Sequence, residues 1–298
     1  MLNNAIHKVT AWRLRTRTLE LGARTLVMGV VNITPDSFSD GGSFLDPEAA
    51  LVRCMQCIGE GADLLDLGAE STRPGSRAGG EDPAVSAEEE QARLLPVVEG
   101  ILKARPDAIV SVDTYKATTA RAALKAGAEI VNDVSGLAWD AGMAAVCAEA
   151  GAGVVLMHTR GRPDEWRAQT QLESDALLAI VRDGLAGSLA AAERAGIPLD
   201  AIVLDPGYGF GKRLGENYAL LARQAELLEL GRPLLAGVSR KSFLTHTLAG
   251  DAPMEARDRA SLAAMTAAIL NGASIVRVHA VRAAVEAARV ADAIRAAG

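Results

Sequence analysis

With 298 residues, 49% apolar content and a formal net charge of -6, the chain can bury a large core and carries no Lys/Arg run of the kind that grips nucleic acid. Its apolar runs are short, none near the ~20 residues a membrane helix requires, and the opening "MLNNAIHKVTAWRLRTRTLEL" lacks a signal-peptide core. The expectation is a cytoplasmic protein that binds neither nucleic acid nor membrane.

The first predicted element is "TAWRLRTRTLELGA", where apolar and charged residues alternate up to a glycine. It reads as a β-hairpin appended to the bottom of the domain and left as a solvated edge. Eight apolar, β-branched-rich runs follow: "TLVMGVVN" (25–32), "ADLLDLGA" (62–69), "AIVSVDT" (108–114), "EIVNDVSG" (129–136), "GVVLMH" (153–158), "AIVLDPG" (201–207), "PLLAGVSR" (233–240) and "ASIVRVH" (273–279). Alanine-rich helical stretches separate them, so the pattern is repeated βαβ and the sheet is parallel. Eight such units close a (β/α)8 TIM barrel, in a chain slightly above the ~250 residues typical of that fold; a doubly wound sheet fits less well, lacking a Gly-rich first βα turn. No linker divides the chain, so one domain spans 1–298, with 1–23 as the N-terminal extension and 24–298 as the barrel.

Two connections are long for a barrel, "NITPDSFSDGGSFLDP" after the first barrel strand and "AESTRPGSRAGGEDP" after the second. Their Gly, Pro, Ser and Asp content suits lids. Cys54 and Cys57 form a CxxC, but inside a helical pattern with no further ligands nearby they read as ordinary buried residues. "DPGYGFGK" (205–212) invites comparison with a phosphate-binding P-loop. That motif needs glycine where Pro206 stands and Ser or Thr where Arg213 stands, so it is excluded.

Barrel catalysis sits at the C-terminal strand ends. Here these carry Asn32, Asp66, Asp113, Asn132, His158, Asp205, Lys241, Arg277 and His279. Strand parity puts Arg277 and His279 on one face, aiming two anion-binding groups the same way. Aromatic residues are 3% of the chain, yet Phe38, Phe44, Tyr115, Trp139, Trp166, Tyr208, Phe210 and Phe243 all follow strands, which suggests aromatic surface around the mouth. With four histidines and no transition-metal spacing, the ion that fits is Mg2+, held by Asn32, water and a substrate phosphate. No G-x-S-x-G elbow supports acyl chemistry, and Lys241 suits hydrogen bonding to a heterocycle better than Schiff-base formation. Asp113 and Asp205, with Asn132, would suit a flat ring presenting a ring N–H beside an exocyclic NH2, as guanine-like pyrimidinones and pterins do.

The ordered motifs "MGVVNITPDSFSDGG", "DLGAESTRPG", "SVDT", "VNDVSG", "LMH", "DPGYGFGK", "GVSRKSF" and "VRVH" resemble those of the dihydropteroate synthase family, from about residue 24 onward. The resemblance implies a homodimeric transferase of folate biosynthesis, of the kind that sulfonamides target. It would join p-aminobenzoate to 6-hydroxymethyl-7,8-dihydropterin pyrophosphate with Mg2+ as cofactor. It further implies that Asp113, Asn132, Asp205 and Lys241 read the pterin, and that Met157 and Gly237 line its pocket. Arg277 and His279 would bind the pyrophosphate and Asn32 the Mg2+. Phe38, Asp40, Thr72, Arg73 and Pro74 would close over the aminobenzoate, with Ser242 at its carboxylate and Phe210 as the other wall. Asp40, Lys241, Arg277 and His279 are the expected catalytic groups, and Lys212 an outer helix-start or rim residue. The family commonly continues "RVH" with Asp, whereas Ala280 follows here, leaving His279 without an acidic neighbour. A non-catalytic pterin-binding paralogue and a pterin-dependent methyltransferase are the alternative readings.

Overall fold

The computed structural model describes residues 9–34, 47–80, 83–248 and 252–297. Phe38, Asp40 and Phe44 therefore lie outside the described residues. The barrel strands are β3 (Leu26–Asn32), β4 (Leu64–Gly68), β5 (Val110–Asp113), β6 (Ile130–Asp133), β7 (Gly153–Met157), β8 (Ile202–Asp205), β9 (Leu234–Ala236) and β10 (Ala273–Val278). All pair in parallel and close in the order β10-β3-β4-β5-β6-β7-β8-β9. A helix or helical pair follows each strand: α1 (Pro47–Gly59), α2 (Ala87–Ala104), α3 (Ala117–Ala126), α4 (Met143–Ala150), α5 (Ser174–Arg194), α6 (Leu214–Ala222), α7 (Ser242–Thr247) with α8 (Met254–Leu270), and α9 (Val281–Ala297).

Local chemistry accounts for the helix limits. Ser86 caps α2 by accepting the Glu89 N–H at 3.2 Å, and Glu88, Glu89 and Glu90 load its first turn with the charge that the helix dipole favours. α3 ends at Gly127, whose φ of 114° is accessible to glycine at little cost. Helices and strands share a continuous apolar layer in which Val31, Leu67, Val112, Val131, Val154 and Leu204 point outward. Neighbouring residues on the same strands point inward, because side chains alternate along a strand.

The lower half of the barrel interior is filled by Met28, Leu64, Ile130, Val155, Val203, Leu235 and Ile275. Its bottom is closed by the hairpin β1 (Ala11–Arg13) and β2 (Thr18–Glu20). This corrects the expectation of a solvated edge: Trp12, Leu14 and Leu21 are buried within the barrel core. Trp12 Nε1 donates to the Ala201 carbonyl at 2.9 Å, and Leu14 presses on Gly153 so closely that a Cβ there would come within 2.6 Å. Glu129 latches the turn by accepting the Thr16 amide at 2.8 Å. The alternating pattern marked one apolar face; the open barrel end that needs it appears only after closure.

Candidate active site

Above that apolar floor the inward positions turn polar. Asp66 on β4 is fully buried and accepts from Ser111 Oγ at 2.6 Å, Asn132 Nδ2 at 3.0 Å and Arg277 Nε at 2.6 Å. Arg277 then reaches across the barrel with Nη2 2.7 Å from Asp113 Oδ2. Groups from β4, β5, β6 and β10 thus form one network, and a buried charge is stable only in such company. Sequence reasoning placed Asp66 at a strand end but gave it no role; its inward parity with Gly68, shared across to Asp113, was the available signal.

The electrostatics follow from burial. It pushes the Asp113 carboxyl up to about 7 against the pull of Arg277. Asp205 is raised for the same reason, although the Gly207 N–H donates to it at 2.7 Å. Lys241 is lowered to about 8, by burial first and by the Arg277 charge next. Burial also opposes the Arg277 charge, but Asp66 and Asp113 outweigh it and hold the guanidinium ionised. His279 is pushed down to about 3 by burial and by Arg240, Arg277 and Lys241, so its ring is neutral. Its Nδ1 lies 3.0 Å from Ser239 Oγ, the partner found in place of an acid at position 280.

These groups line one open cleft of about 1300 Å3 at the C-terminal strand ends, roomy enough for two ligands side by side. Asp113, Asn132, Asp205, Met157 and Gly237 form its inner part, with Lys241, Arg277 and His279 along one side. A Cβ at 237 would sit 3.5 Å from Asp205 Oδ2, occupying the space against that carboxylate. Phe210 walls the outer part, edge-on to Trp166 with centroids 5.0 Å apart and with Lys241 Nζ 4.0 Å from its own centroid. Asn32, Thr72, Arg73, Pro74 and Ser242 border the mouth. Among the described residues, every one to which the family resemblance gives a substrate, metal or catalytic role lines this cleft, whereas Asp66 and His158 of the strand-end set do not.

Three expectations need correction. Lys212 does stand just before the start of α6, but it is buried rather than outer or on the rim: its ammonium donates to the carbonyls of Gly207, His158 and Phe210 at 2.8, 3.0 and 3.2 Å. It clamps the turns made by Gly207, Gly209 and Gly211, whose φ values are 69°, 80° and 69°. A Cβ on Gly207 would approach the His158 carbonyl oxygen to 1.9 Å, so "DPGYGFGK" folds only with glycine there. Second, Tyr208 and Phe243 are core rings rather than mouth rings; the Tyr208 hydroxyl donates to Gln224 at 2.7 Å. Third, His158 is enclosed behind the cleft, pushed down to about 2 by burial, and has no hydrogen-bond partner at Nδ1.

The loop after β4 rests on charges that sequence reasoning missed. Lys116 lies 2.5 Å from Glu70 and 3.2 Å from Glu90, all three nearly inaccessible, and the Tyr115 hydroxyl donates to Glu70 at 2.9 Å. Farther along, the Gly75 N–H donates to the Pro163 carbonyl at 2.8 Å.

Residues 28–279 match the family model described as pterin binding enzyme. The dihydropteroate synthase of Escherichia coli (strain K12) is 43% identical over 267 residues, 90% of each chain. The chain belongs to the dihydropteroate synthase family. A structure of dihydropteroate synthase from Xanthomonas albilineans in complex with 7,8-dihydropteroate superposes with a TM-score of 0.83 at 39% identity, covering 96% of this chain and 99% of that one. The mitochondrial folate synthesis bifunctional protein of Pisum sativum is 39% identical over 93% of this chain, which spans 54% of that longer relative. The family relation runs through the whole barrel, so the cleft is the place where dihydropteroate synthase chemistry would occur.

Proposed function

We propose that the chain joins p-aminobenzoate to 6-hydroxymethyl-7,8-dihydropterin pyrophosphate, giving 7,8-dihydropteroate and pyrophosphate. The observation that carries the reading is the convergence of Asp113, Asn132 and Asp205 with Lys241 and Arg277 at the inner end of one cleft. The carboxylates accept the ring N–H and exocyclic NH2 of the pterin, and Lys241 donates to its carbonyl and ring nitrogen. Ser242 and Lys241 meet the aminobenzoate carboxylate, between Phe210 and the Thr72–Pro74 segment.

The substitution is dissociative. The bond from the exocyclic methylene to the pyrophosphate oxygen breaks, the dihydropterin ring spreads the positive charge, and the aniline nitrogen attacks the methylene. The proton released from that nitrogen leaves to solvent. Arg277 and the neutral His279 stabilise the departing anion, so catalysis is chiefly electrostatic. Asp40 is assigned a carboxylate near the developing cation; unchanged kcat in Asp40→Asn would remove that role.

Among the described residues no cluster of three or more His, Cys, Asp or Glu could hold a metal. A hard ion with few protein ligands fits this donor set. Asn32, exposed at the end of β3 and bordering the cleft, would hold Mg2+ through its amide oxygen, and the ion would supply charge neutralisation at the pyrophosphate. The protein acts as a homodimer, a reading supported by exposed Leu214, Tyr218 and Met254 on neighbouring helices and checked by sedimentation equilibrium. Its setting is the cytoplasm, as three free, buried cysteines suit, and no described helix is long and apolar enough to cross a membrane.

The deciding experiment measures pyrophosphate release from the pterin pyrophosphate and Mg2+, with and without p-aminobenzoate, with product identified by mass. Amine-dependent release with dihydropteroate is expected. Pterin binding without release would replace the enzyme reading with a binding module.

A further inference from the structure

Only two non-glycine residues among those described have positive φ, Leu137 and Arg240. Arg240, at 58°, stands between Ser239, which contacts His279, and Lys241, which faces Phe210 and the Asp205 side of the cleft. A left-handed residue at this point reverses the local chain so that both flanking side chains can serve the same cleft. An arginine resists that conformation, whereas glycine adopts it freely.

Helix α8 supplies what holds it. The Arg240 backbone N–H donates to Ser261 Oγ at 2.8 Å, and that hydroxyl donates onward to the Arg257 carbonyl at 2.6 Å. The Arg240 guanidinium meets Asp258 through two parallel bonds, Nε to Oδ1 at 2.7 Å and Nη2 to Oδ2 at 3.0 Å. Asp258 and Ser261 are three residues apart on one helix and so share a face. Backbone and side chain of one strained residue are thus tied to one rigid element, and a guanidinium in a bidentate pair is held in orientation as well as neutralised.

We propose that Asp258 and Ser261 are positioning residues: they clamp Arg240 in its left-handed conformation and thereby set Lys241 and, through Ser239, His279 for the pterin pyrophosphate. The consequence for that ligand rests on the proposed function, whereas the clamp itself does not. Arg240, although it borders the cleft, spends its charge on Asp258 and makes no contact with substrate.

The test uses the full chain with Asp258→Ala, Ser261→Ala, Arg240→Gly and the double variant Asp258→Ala/Arg240→Gly, each kept below its own melting temperature. Amide exchange over 237–242 is read by mass spectrometry, and Kd for the pterin pyrophosphate by calorimetry without amine. Asp258→Ala is expected to speed exchange and weaken binding by about tenfold each, with Ser261→Ala shifting both in the same direction by less. The double variant is expected to bind within about threefold of the unsubstituted chain, because glycine takes the turn without the clamp. Unchanged exchange in Asp258→Ala and Ser261→Ala would overturn the clamp, and Ser261→Ala decides alone if Asp258→Ala does not fold. Faster exchange with unchanged Kd would overturn the positioning role. A double variant as weak as Asp258→Ala would overturn the conformational account and assign the Arg240 guanidinium to the ligand. Should the unsubstituted chain bind no pterin pyrophosphate, the exchange data still decide the clamp while the functional reading fails.

Discussion

At the scale of single residues, burial has moved Asp113, Asp205, Lys241 and His279 toward neutrality, while Arg277 stays charged between Asp66 and Asp113. Asp113 at about 7 and Lys241 at about 8 bracket the working range. The pterin's N–H donors require an ionised carboxylate, and its carbonyl requires a protonated lysine. Because the Asp113 carboxyl is raised, its useful form is lost as pH falls through about 7; because the Lys241 ammonium is lowered, its useful form is lost as pH rises through about 8. The kcat/KM for the pterin pyrophosphate should therefore be bell-shaped, with limbs belonging to the coupled network rather than to either residue alone. In Asp113→Asn the acidic limb should shift, because raised Asp205 remains, and most of the activity should be lost, which a pH series on that variant checks. Arg277→Ala removes the group that spans Asp66 and Asp113 and is proposed to meet the leaving anion. It should cost at least ~2 kcal/mol in transition-state binding, read from kcat/KM; an unchanged value would remove Arg277 from the mechanism.

At the scale of elements, loops are shaped by buried lysines that do not line the cleft. Lys212, lowered to about 7 by burial, bonds three carbonyls of the turns after β7 and β8. Lys212→Met should leave those carbonyls without a donor and cost about 2–4 kcal/mol of stability, measured by urea unfolding. A loss below 0.5 kcal/mol would mean that water replaces the ammonium, on the order of an ordinary surface change. Lys116 plays the corresponding part under the loop after β4, between Glu70 and Glu90. Lys116→Ala strands two buried carboxylates and should destabilise by about 3–5 kcal/mol, a larger penalty than for Lys212 because charges, not carbonyls, lose their partner. Thermal melts of the two variants side by side test that order.

At the scale of the whole molecule, the barrel has two ends with separate duties. The hairpin seals the lower end with Trp12, while the ionisable groups of the cleft lie at the upper end. Trp12→Ala should empty a buried site and cost about 3–5 kcal/mol. Since the seal lies beneath the apolar layer of Met28, Val155 and Ile275, kcat and KM measured well below the lowered melting temperature should stay within about twofold of their original values. A matching loss of activity at low temperature would show that the two ends are coupled.

Periodicity and motif order were enough to set the eight strands and the inward residues Asp113, Asn132, Asp205 and Arg277, because alternation along a strand is a local property. The turns at the glycines of "DPGYGFGK" are likewise a local matter, since glycine takes a positive φ at little cost. What the chain did not disclose locally were partnerships between distant segments. Asp66 meets Arg277 across 211 positions of sequence, Trp12 meets the Ala201 carbonyl across 189, and Lys212 turns inward to His158 across 54. A lysine after a glycine-rich turn looks solvated until the neighbouring loop brings carbonyls to it, and a strand-end aspartate looks like a ligand contact until an arginine occupies it. Sequence determined which side chains face the barrel axis; only closure of the barrel decided which of them neutralise one another and which remain for a ligand, because burial and pairing depend on distances that the tertiary fold alone creates.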